Sequence, residues 1–201
     1  LHSFPTRRSS DLSWSEETNI PADLGAGAGI QTAALIFSGT TAVSYDGTNW
    51  TSSPALPTAM VGGTGIQTAA LATIPPPSGT TTLEWDGSSW ATGGALNTAR
   101  PSGLGGMTSG IQTSAIIAGT TSAPPPARVG GITEQYDGSS WTTNPATMGT
   151  ARHTYMTSAA NNTSAMIAGG ASPYSAATEE FNSTTNLITA GAWASGGAMT
   201  T

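Results

Sequence analysis

Three acidic residues recur in one local setting and are the first candidates for chemistry in this chain. Asp46, Asp86 and Asp137 each follow an aromatic residue, precede a Gly and lie four residues before a Trp. Loop carboxylates together with backbone carbonyls could coordinate Ca²⁺. Asp-Gly is equally suited to a tight hairpin turn, because Gly adopts the positive φ that such turns need. The constant spacing favours one fixed hairpin, so we expect these Asp residues to be structural.

Cationic side chains are few, and two of them occupy matching positions. Arg100 and Arg152 follow the same Thr-Ala pair, ten and eleven residues after Trp90 and Trp141. One interpretation is an ion pair with a Glu such as Glu134 or Glu179, and the other is ligand binding. We expect the ion pair and keep both arginines as candidate ligand-binding residues.

A metal centre or a set of catalytic residues is not predicted from these residue types. Outside residues 1–12 the sole histidine is His153, and the chain contains no Cys. Glu179 and Glu180 are adjacent, so on a strand they point to opposite faces and cannot enter one site together. We predict no metal, no cofactor and no catalytic residue in this chain.

The elements that position these residues belong to an internal repeat. Each unit has an apolar segment after a Gln or Asn, then an aromatic residue and a Trp. The Trp residues 14, 50, 90, 141 and 193 are separated by steps of 36, 40, 51 and 52 residues. Such a period suits a four-stranded propeller blade, and Gly and Pro interrupt every window that could be helical. We therefore predict an all-β propeller segment, about four blades of four antiparallel strands in an incomplete ring.

The repeat also predicts boundaries and burial. The units run roughly 14–49, 50–89, 90–140 and 141–192, with a partial unit at 193–201. Trp50, Trp90 and Trp141 are expected to be substantially buried at equivalent positions. In the fourth unit Phe181 and Trp193 are twelve residues apart instead of five, which predicts a longer loop.

The repeat resembles the blade pattern of kelch-type β-propellers, in which apolar residues and a Gly pair precede a Tyr, a Trp and then an Arg. Met166–Gly170 matches the Gly pair, and Ile116–Gly119 matches it with one Gly. The Tyr position is taken by Tyr45, Trp85, Tyr136 and Phe181, and the Arg position by Leu24, Met60, Arg100 and Arg152. The resemblance covers residues 13–201. It implies a propeller fold, and kelch-type propellers include enzymes, adaptors and adhesins, so it implies no single function.

Residues 1–12 match no part of the repeat. Their sequence, LHSFPTRRSSDL, resembles a translated sequencing adapter and lacks the apolar core of a signal peptide. We expect a non-native segment here, which would make the chain a metagenomic fragment, an interior piece of a longer propeller.

Composition limits the classes of partner. The formal net charge is −6, charged residues make up 8% of the chain, and Lys is absent. Such a surface does not favour nucleic acid or an anionic membrane as a partner. We expect a protein or a neutral glycan surface, together with missing blades of the same polypeptide, and an extracellular or virion-associated location.

The candidate binding site comes from loops whose length varies between units. The spacing from Trp to the Arg position hardly changes, whereas the spacing from the Gln or Asn to the third-strand aromatic runs 14, 18, 24 and 19. The extra residues include Pro75–Pro77, Pro124–Arg128 and Pro173–Tyr174. Variable loops on a rigid scaffold commonly bind ligands. The candidate ligand-binding residues are Arg128, Tyr174, Tyr155, Arg100 and Arg152.

These observations favour a non-catalytic binding or structural module, with a phage tail or fibre protein or a secreted surface protein as the expected context. The alternative is a fragment of a carbohydrate-active propeller enzyme, sialidase-like or oxidase-like, whose catalytic blades lie outside this chain. The Asp-Gly pairs differ from the Asp-box of sialidase-type propellers, which has a residue between Asp and Gly.

Overall fold

A computed structural model describes residues 18–21, 24–101, 105–120, 130–171, 175–183 and 192–195, and this part of the chain is built from strands and turns. No described helix is long and apolar enough to cross a membrane. The strands form four four-stranded sheets and one short two-stranded ribbon. The prediction of an all-β propeller segment is confirmed.

The four sheets follow one another along the chain. Sheet 1 contains β1 (Ala26–Ile30), β2 (Ala33–Ser38), β3 (Thr41–Tyr45) and β4 (Trp50–Ser53). Sheet 2 contains β5 (Gly62–Ile66), β6 (Ala69–Thr73), β8 (Leu83–Trp85) and β9 (Trp90–Thr92). Sheet 3 contains β11 (Gly105–Ile111), β12 (Ser114–Thr120), β13 (Thr133–Tyr136) and β14 (Trp141–Asn144). Sheet 4 contains β15 (His153–Ala160), β16 (Ser164–Ala171), β17 (Thr178–Asn182) and β18 (Ala192–Ser195).

Each sheet is an antiparallel meander whose neighbouring strands are consecutive in the chain, except that β7 (Ser78–Gly79) comes between β6 and β8 of sheet 2 in the sequence. The ribbon pairs β7 with β10 (Arg100–Pro101), and so joins the connection inside sheet 2 to the connection that leads into sheet 3. The first strands of successive sheets, β1, β5, β11 and β15, lie against one another. This arrangement places the first strand innermost in every sheet, as in a propeller.

Close approach of the first strands depends on small residues. A Cβ added at Gly63 would lie 2.4 Å from the Phe37 ring and 2.8 Å from the Leu71 carbonyl oxygen. Any side chain there would collide with both sheet 1 and the neighbouring strand of its own sheet. The Gly-rich sequences of β1 and β5 are therefore a packing requirement.

The core lies between successive sheets. We call the face of a sheet toward the preceding sheet its backward face, and the face toward the next sheet its forward face. The forward side chains Leu35 and Phe37 pack against the backward side chains Ala70, Ala72 and Trp85. The same pattern recurs between sheets 2 and 3, where Leu71 packs against Ala115, Ile117, Tyr136 and Trp141. Because successive side chains of a strand point to opposite faces of the sheet, one strand contributes apolar side chains to the interface on each side.

The Trp residues are less uniformly buried than their spacing predicts. Trp141 is buried, whereas Trp50 and Trp90 are only partly buried. The three therefore lie at equivalent positions, as expected, with burial that is complete for Trp141 and partial for Trp50 and Trp90. All three occupy the first position of the fourth strand, the outermost strand of a sheet, and only the indoles of Trp50 and Trp90 remain partly exposed there.

The sheets are offset from the Trp-to-Trp repeat units. The Trp strand closes each sheet instead of opening the next one, so the sheets span 26–53, 62–92, 105–144 and 153–195. In sheet 4, β17 ends at Asn182 and β18 begins at Ala192, which gives the longer connection expected there. Residues 1–12 lie outside the described residues.

Candidate functional site

The three Asp-Gly segments form hairpin turns between the third and fourth strands. Oδ1 of Asp46 accepts hydrogen bonds from the backbone N–H groups of Thr48 and Asn49, both at 2.8 Å. Asp86 and Asp137 accept the equivalent pairs. Gly47 follows with φ of 95°, a value that L-residues rarely adopt. Each Asp therefore fastens its own turn, which is the structural role expected for it.

These bonds stabilise the ionised carboxylates. Hydrogen bonds from the backbone N–H groups of Asn49 and Thr48 lower the pKa of Asp46. The pKa of Asp86 is lowered mainly by the hydroxyl of Ser88, and the pKa of Asp137 falls to about 2 mainly through the N–H of Ser140. No group of three or more His, Cys, Asp and Glu side chains that could hold a metal ion occurs among the described residues.

Arg100 and Arg152 are buried in equivalent ion pairs. Arg100 Nη2 lies 3.0 Å from Glu134 Oε1, and Arg152 Nη1 lies 2.8 Å from Glu179 Oε1. Arg100 also donates to the carbonyl of Gly119, and Arg152 to that of Ile167. Burial lowers the pKa of Arg100, and the charge of Glu134 opposes that shift. The ion pairs with Glu134 and Glu179 that the repeat positions predict are present.

The two glutamates also accept backbone hydrogen bonds from the connection that carries the arginine. Glu134 accepts from the N–H groups of Asn97 and Thr98, at 2.7 and 3.2 Å. Glu179 accepts from Gly149 and Thr150 at 2.6 and 3.0 Å. Each carboxylate thus anchors the incoming connection to the third strand of the sheet that it enters.

In sheet 2 apolar residues replace this arrangement. Met60 stands at the Arg position and Leu83 at the Glu position, and both are buried in one core cluster. Pro57 stands where Asn97 donates its N–H, and Pro has no N–H to donate. Where apolar residues replace the Arg–Glu pair, a backbone N–H that bonds to the Glu is therefore absent as well.

Two further polar contacts join neighbouring sheets. The buried hydroxyl of Tyr136 donates to Oε1 of Glu84 in sheet 2, and desolvation together with this bond raises the pKa of Tyr136 to about 12. In sheets 2 to 4 the Gln or Asn that begins the apolar segment donates to the carbonyl of the preceding third-strand aromatic. These bonds run from Gln67 to Tyr45, from Gln112 to Trp85 and from Asn162 to Tyr136, at 2.6, 2.8 and 3.1 Å.

One end of the sheets presents a repeated apolar feature. The turns between first and second strands and between third and fourth strands lie together at this end, since a Cβ at Gly47 would be 3.3 Å from the Thr32 carbonyl oxygen. We call it the hairpin face. Ile30, Ile66 and Ile111, the last residues of β1, β5 and β11, are exposed there by 67, 49 and 52%.

The local backbone before these isoleucines requires glycine. Each follows a Gly with φ between 116 and 122° (Gly29, Gly65 and Gly110). A Cβ at Gly29 would lie 2.2 Å from the carbonyl oxygen of Ala33, so no other residue fits before the turn. The hydroxyl of Thr64 donates to the carbonyl of Gly110 at 2.6 Å and holds the ends of β5 and β11 together.

The isoleucines were not among the residues predicted from the sequence, although a signal exists. The tetrapeptide Gly-Ile-Gln-Thr occurs at 29–32, 65–68 and 110–113. In the fourth unit Asn161 stands at the Ile position, and its Oδ1 accepts from the N–H groups of Thr163 and Ser164. An aliphatic residue kept in a turn, where a polar residue fits equally well, indicates an exposed apolar position.

The predicted ligand-binding residues are not brought together by the described part of the structure. Arg100 and Arg152 are buried in their ion pairs. Arg128 and Tyr174 lie outside the described residues, and Tyr155 is described only by its backbone, in β15. The connections that contain Pro75, Arg128 and Tyr174 all join the second strand of a sheet to its third, at the end opposite the hairpin face, which we call the loop face.

Comparisons with known proteins identify the fold. No protein-family model and no curated protein matches the sequence. Among solved structures the chain is similar to a structure of YjhT, at 13% sequence identity and a TM-score of 0.67, over 91% of this chain and 67% of that chain. YjhT is β-propeller-like, and at this identity the likeness concerns the fold alone. The chain has a propeller-like fold of four successive antiparallel sheets.

Proposed function

We propose that this chain is a non-catalytic binding module that contacts a protein partner through the hairpin face. The observation that carries the proposal is the row of Ile30, Ile66 and Ile111 at equivalent positions of three adjacent first strands. Single exposed apolar residues are ordinary, but a contiguous exposed set commonly marks an interaction site. A rigid scaffold that repeats one apolar side chain at a fixed spacing is suited to binding.

The roles of the charged side chains support a binding module. The hairpin Asp residues are engaged by their own turns, and the buried arginines by Glu134 and Glu179. Glu84 accepts the hydroxyl hydrogen of Tyr136. Each of these groups has a structural partner that explains its presence without a substrate.

The chemistry of the row favours a protein over the alternative partners. Aliphatic side chains bury apolar surface against another protein, while a net charge of −6 without Lys repels polyanions. We keep the kelch-type family, a tail, fibre or secreted surface protein, and an extracellular or virion-associated location as parts of this proposal.

The test is protein-array binding followed by affinity measurement on the strongest targets. Replacement of Ile30, Ile66 and Ile111 together by Asn, the residue that the fourth repeat has at this position, should weaken binding at least tenfold. Arg128→Ala and Tyr174→Ala, which change connections between second and third strands, are the matched controls and should leave binding unchanged. Loss of binding in the loop variants with retention in the Asn variant would place the site on the loop face and overturn the proposal.

A further inference from the structure

The forward face of sheet 4 carries an apolar side chain that nothing described covers. The fourth residue after each Gln or Asn anchor points forward, and in sheets 1 to 3 these residues, Leu35, Leu71 and Ile116, are buried by the next sheet. Met166 is the equivalent residue in sheet 4 and is 39% exposed. A shallow cavity of about 210 Å³ adjoins it and is lined by Ser164, Met166, Glu180 and Asn182.

The backward face of sheet 1 is open in the complementary way. Ala34 and Ile36 are partly exposed, whereas their equivalents Ala70, Ala72 and Ile117 are fully buried. A cavity of about 650 Å³ lies against this face and extends to the hairpin face, since its lining includes Ala34, Ile36, Tyr45 and Trp50 together with Ile30. No residue of sheet 4 is among its described lining. The face has the composition of an interior interface, and no described sheet covers it.

Polar groups on the two open faces match a bond that exists inside the molecule. Glu84, one residue before the third-strand aromatic of sheet 2, points forward and accepts from Tyr136 on the backward face of sheet 3. The third-strand aromatics of sheets 2 and 4, Trp85 and Phe181, have no hydroxyl. In the sheet that precedes each of them, the residue equivalent to Glu84 is not acidic: it is Ser44 in sheet 1 and Gln135 in sheet 3. At the interfaces within the chain, a Glu at this position therefore occurs where the next sheet has a Tyr, as with Glu84 and Tyr136.

Glu180 and Tyr45 are the two members of this series without a partner. Glu180 is exposed on the forward face of sheet 4, and Tyr45 lies on the backward face of sheet 1. Neither side chain has a hydrogen-bond partner among the described residues. The Tyr45 and Trp50 rings already stack at 4.8 Å and 33°, and the Tyr136 and Trp141 rings of the interior interface at 4.9 Å and 33°. The receiving surface is thus formed before binding.

We propose that the forward face of sheet 4 of one copy docks on the backward face of sheet 1 of a second copy. In this contact the Tyr45 hydroxyl donates to the Glu180 carboxylate of the other copy, and Met166 packs against Ala34 and Ile36. The contact continues the sheet-to-sheet packing that already exists three times within the chain. It is heterologous, because two different surfaces meet, so it builds rings or filaments and not isologous dimers.

The first test measures association of the full chain by sedimentation velocity across a concentration series. Wild-type protein should associate as concentration rises. Ile36→Asp blocks the sheet 1 face and Met166→Asp blocks the sheet 4 face, so each variant alone should stay monomeric. A mixture of the two variants retains one intact pair of faces and should form a heterodimer limited to one copy of each. Circular dichroism checks that both variants are folded.

A monomeric wild type at all concentrations, association of either variant alone, or a mixture that stays monomeric would each overturn the proposal.

The second test removes the hydroxyl of Tyr45 alone. Tyr45→Phe should weaken association about tenfold, since a hydrogen bond to a charged group is lost. Tyr136→Phe makes the same change at an interior interface and should leave association unchanged while lowering stability. Equal association of wild type and Tyr45→Phe would exclude the proposed bond.

Discussion

At the scale of single residues, equivalent buried positions of the repeat are filled by two chemically different pairs of side chains. Between the incoming connection and the third strand, sheets 3 and 4 place Arg and Glu, whereas sheet 2 places Met60 and Leu83. A buried ion pair requires hydrogen bonds to its remaining polar atoms, and an apolar pair of similar volume requires none. In sheet 3 the N–H groups of Asn97 and Thr98 bond to Glu134, whereas in sheet 2 Pro57 stands in place of Asn97, so a backbone donor is lost together with the charged pair.

The first prediction concerns Arg100 and Glu134. Arg100→Met alone should lower the free energy of unfolding by about 3–5 kcal/mol, because it leaves the buried carboxylate without its counter-ion. The double variant Arg100→Met with Glu134→Leu reproduces the residues of sheet 2 and should cost less than the sum of the two single changes. Urea unfolding of all four proteins in a double-mutant cycle measures the coupling. Additive costs would show that the two side chains act independently.

At the scale of the element, the hairpins are the part of the fold that the sequence predicts best. The five-residue step from Tyr45 to Trp50 recurs because the pair is cross-strand and the Asp turn has one geometry. The spacing of a repeat does not show where each unit begins, however, so the sequence could not show that the Trp strand ends a sheet. Nor could spacing show that Trp50 and Trp90 remain partly exposed, because that depends on the neighbouring sheet.

The candidate site was less predictable than the fold. The ion pairs of Arg100 and Arg152 follow from matched repeat positions, which is why they could be anticipated. The isoleucines were missed because an apolar residue beside a turn is ordinarily assigned to the core. Their exposure depends on the packing at the strand ends of the hairpin face, which a sequence does not state.

The second prediction concerns the turn at Asp86. Asp86→Ala should lower the melting temperature, because Ser88 and Ser89 lose the acceptor of their N–H groups. Asp86→Asn should keep most of the stability, since Asn161 accepts an analogous pair of N–H bonds in another hairpin turn, the one between β15 and β16. Thermal unfolding at neutral pH compares the three proteins. An Asn variant as unstable as the Ala variant would contradict this account.

The same turn has a pH dependence with a definite sign. The folded pKa of Asp86 lies below the ordinary value of 3.8, so its stabilisation is fully present above that value and is lost as pH falls toward the folded pKa. Wild type should therefore lose stability in this acidic window by more than Asp86→Asn, which does not titrate there. Parallel losses in both proteins would assign the acid sensitivity to other carboxylates.

At the scale of the whole molecule, stability is distributed over interfaces between successive sheets. Sheets 2 and 3 bury both faces, sheet 1 buries its forward face and sheet 4 its backward face, so three interfaces are complete in the described residues. In a repeat array of this kind stability is close to a sum of unit and nearest-neighbour terms. The contribution of equivalent residues to the free energy of unfolding should therefore depend on whether a neighbouring sheet covers them, and not on their identity alone.

The last prediction uses this difference at two equivalent positions. Leu71→Ala removes a fully buried side chain between sheets 2 and 3 and should lower the free energy of unfolding by about 2–5 kcal/mol. Met166→Ala removes the equivalent but exposed side chain of sheet 4, so in dilute solution it should change that free energy by less than about 0.5 kcal/mol. If a second copy covers Met166, wild type should gain stability as protein concentration rises, by linkage to association. The Met166→Ala variant should then show a smaller gain, whereas Leu71→Ala should gain as much as wild type, as urea unfolding at several concentrations would measure. A large cost of Met166→Ala in dilute solution would mean that another part of the same chain already covers this face.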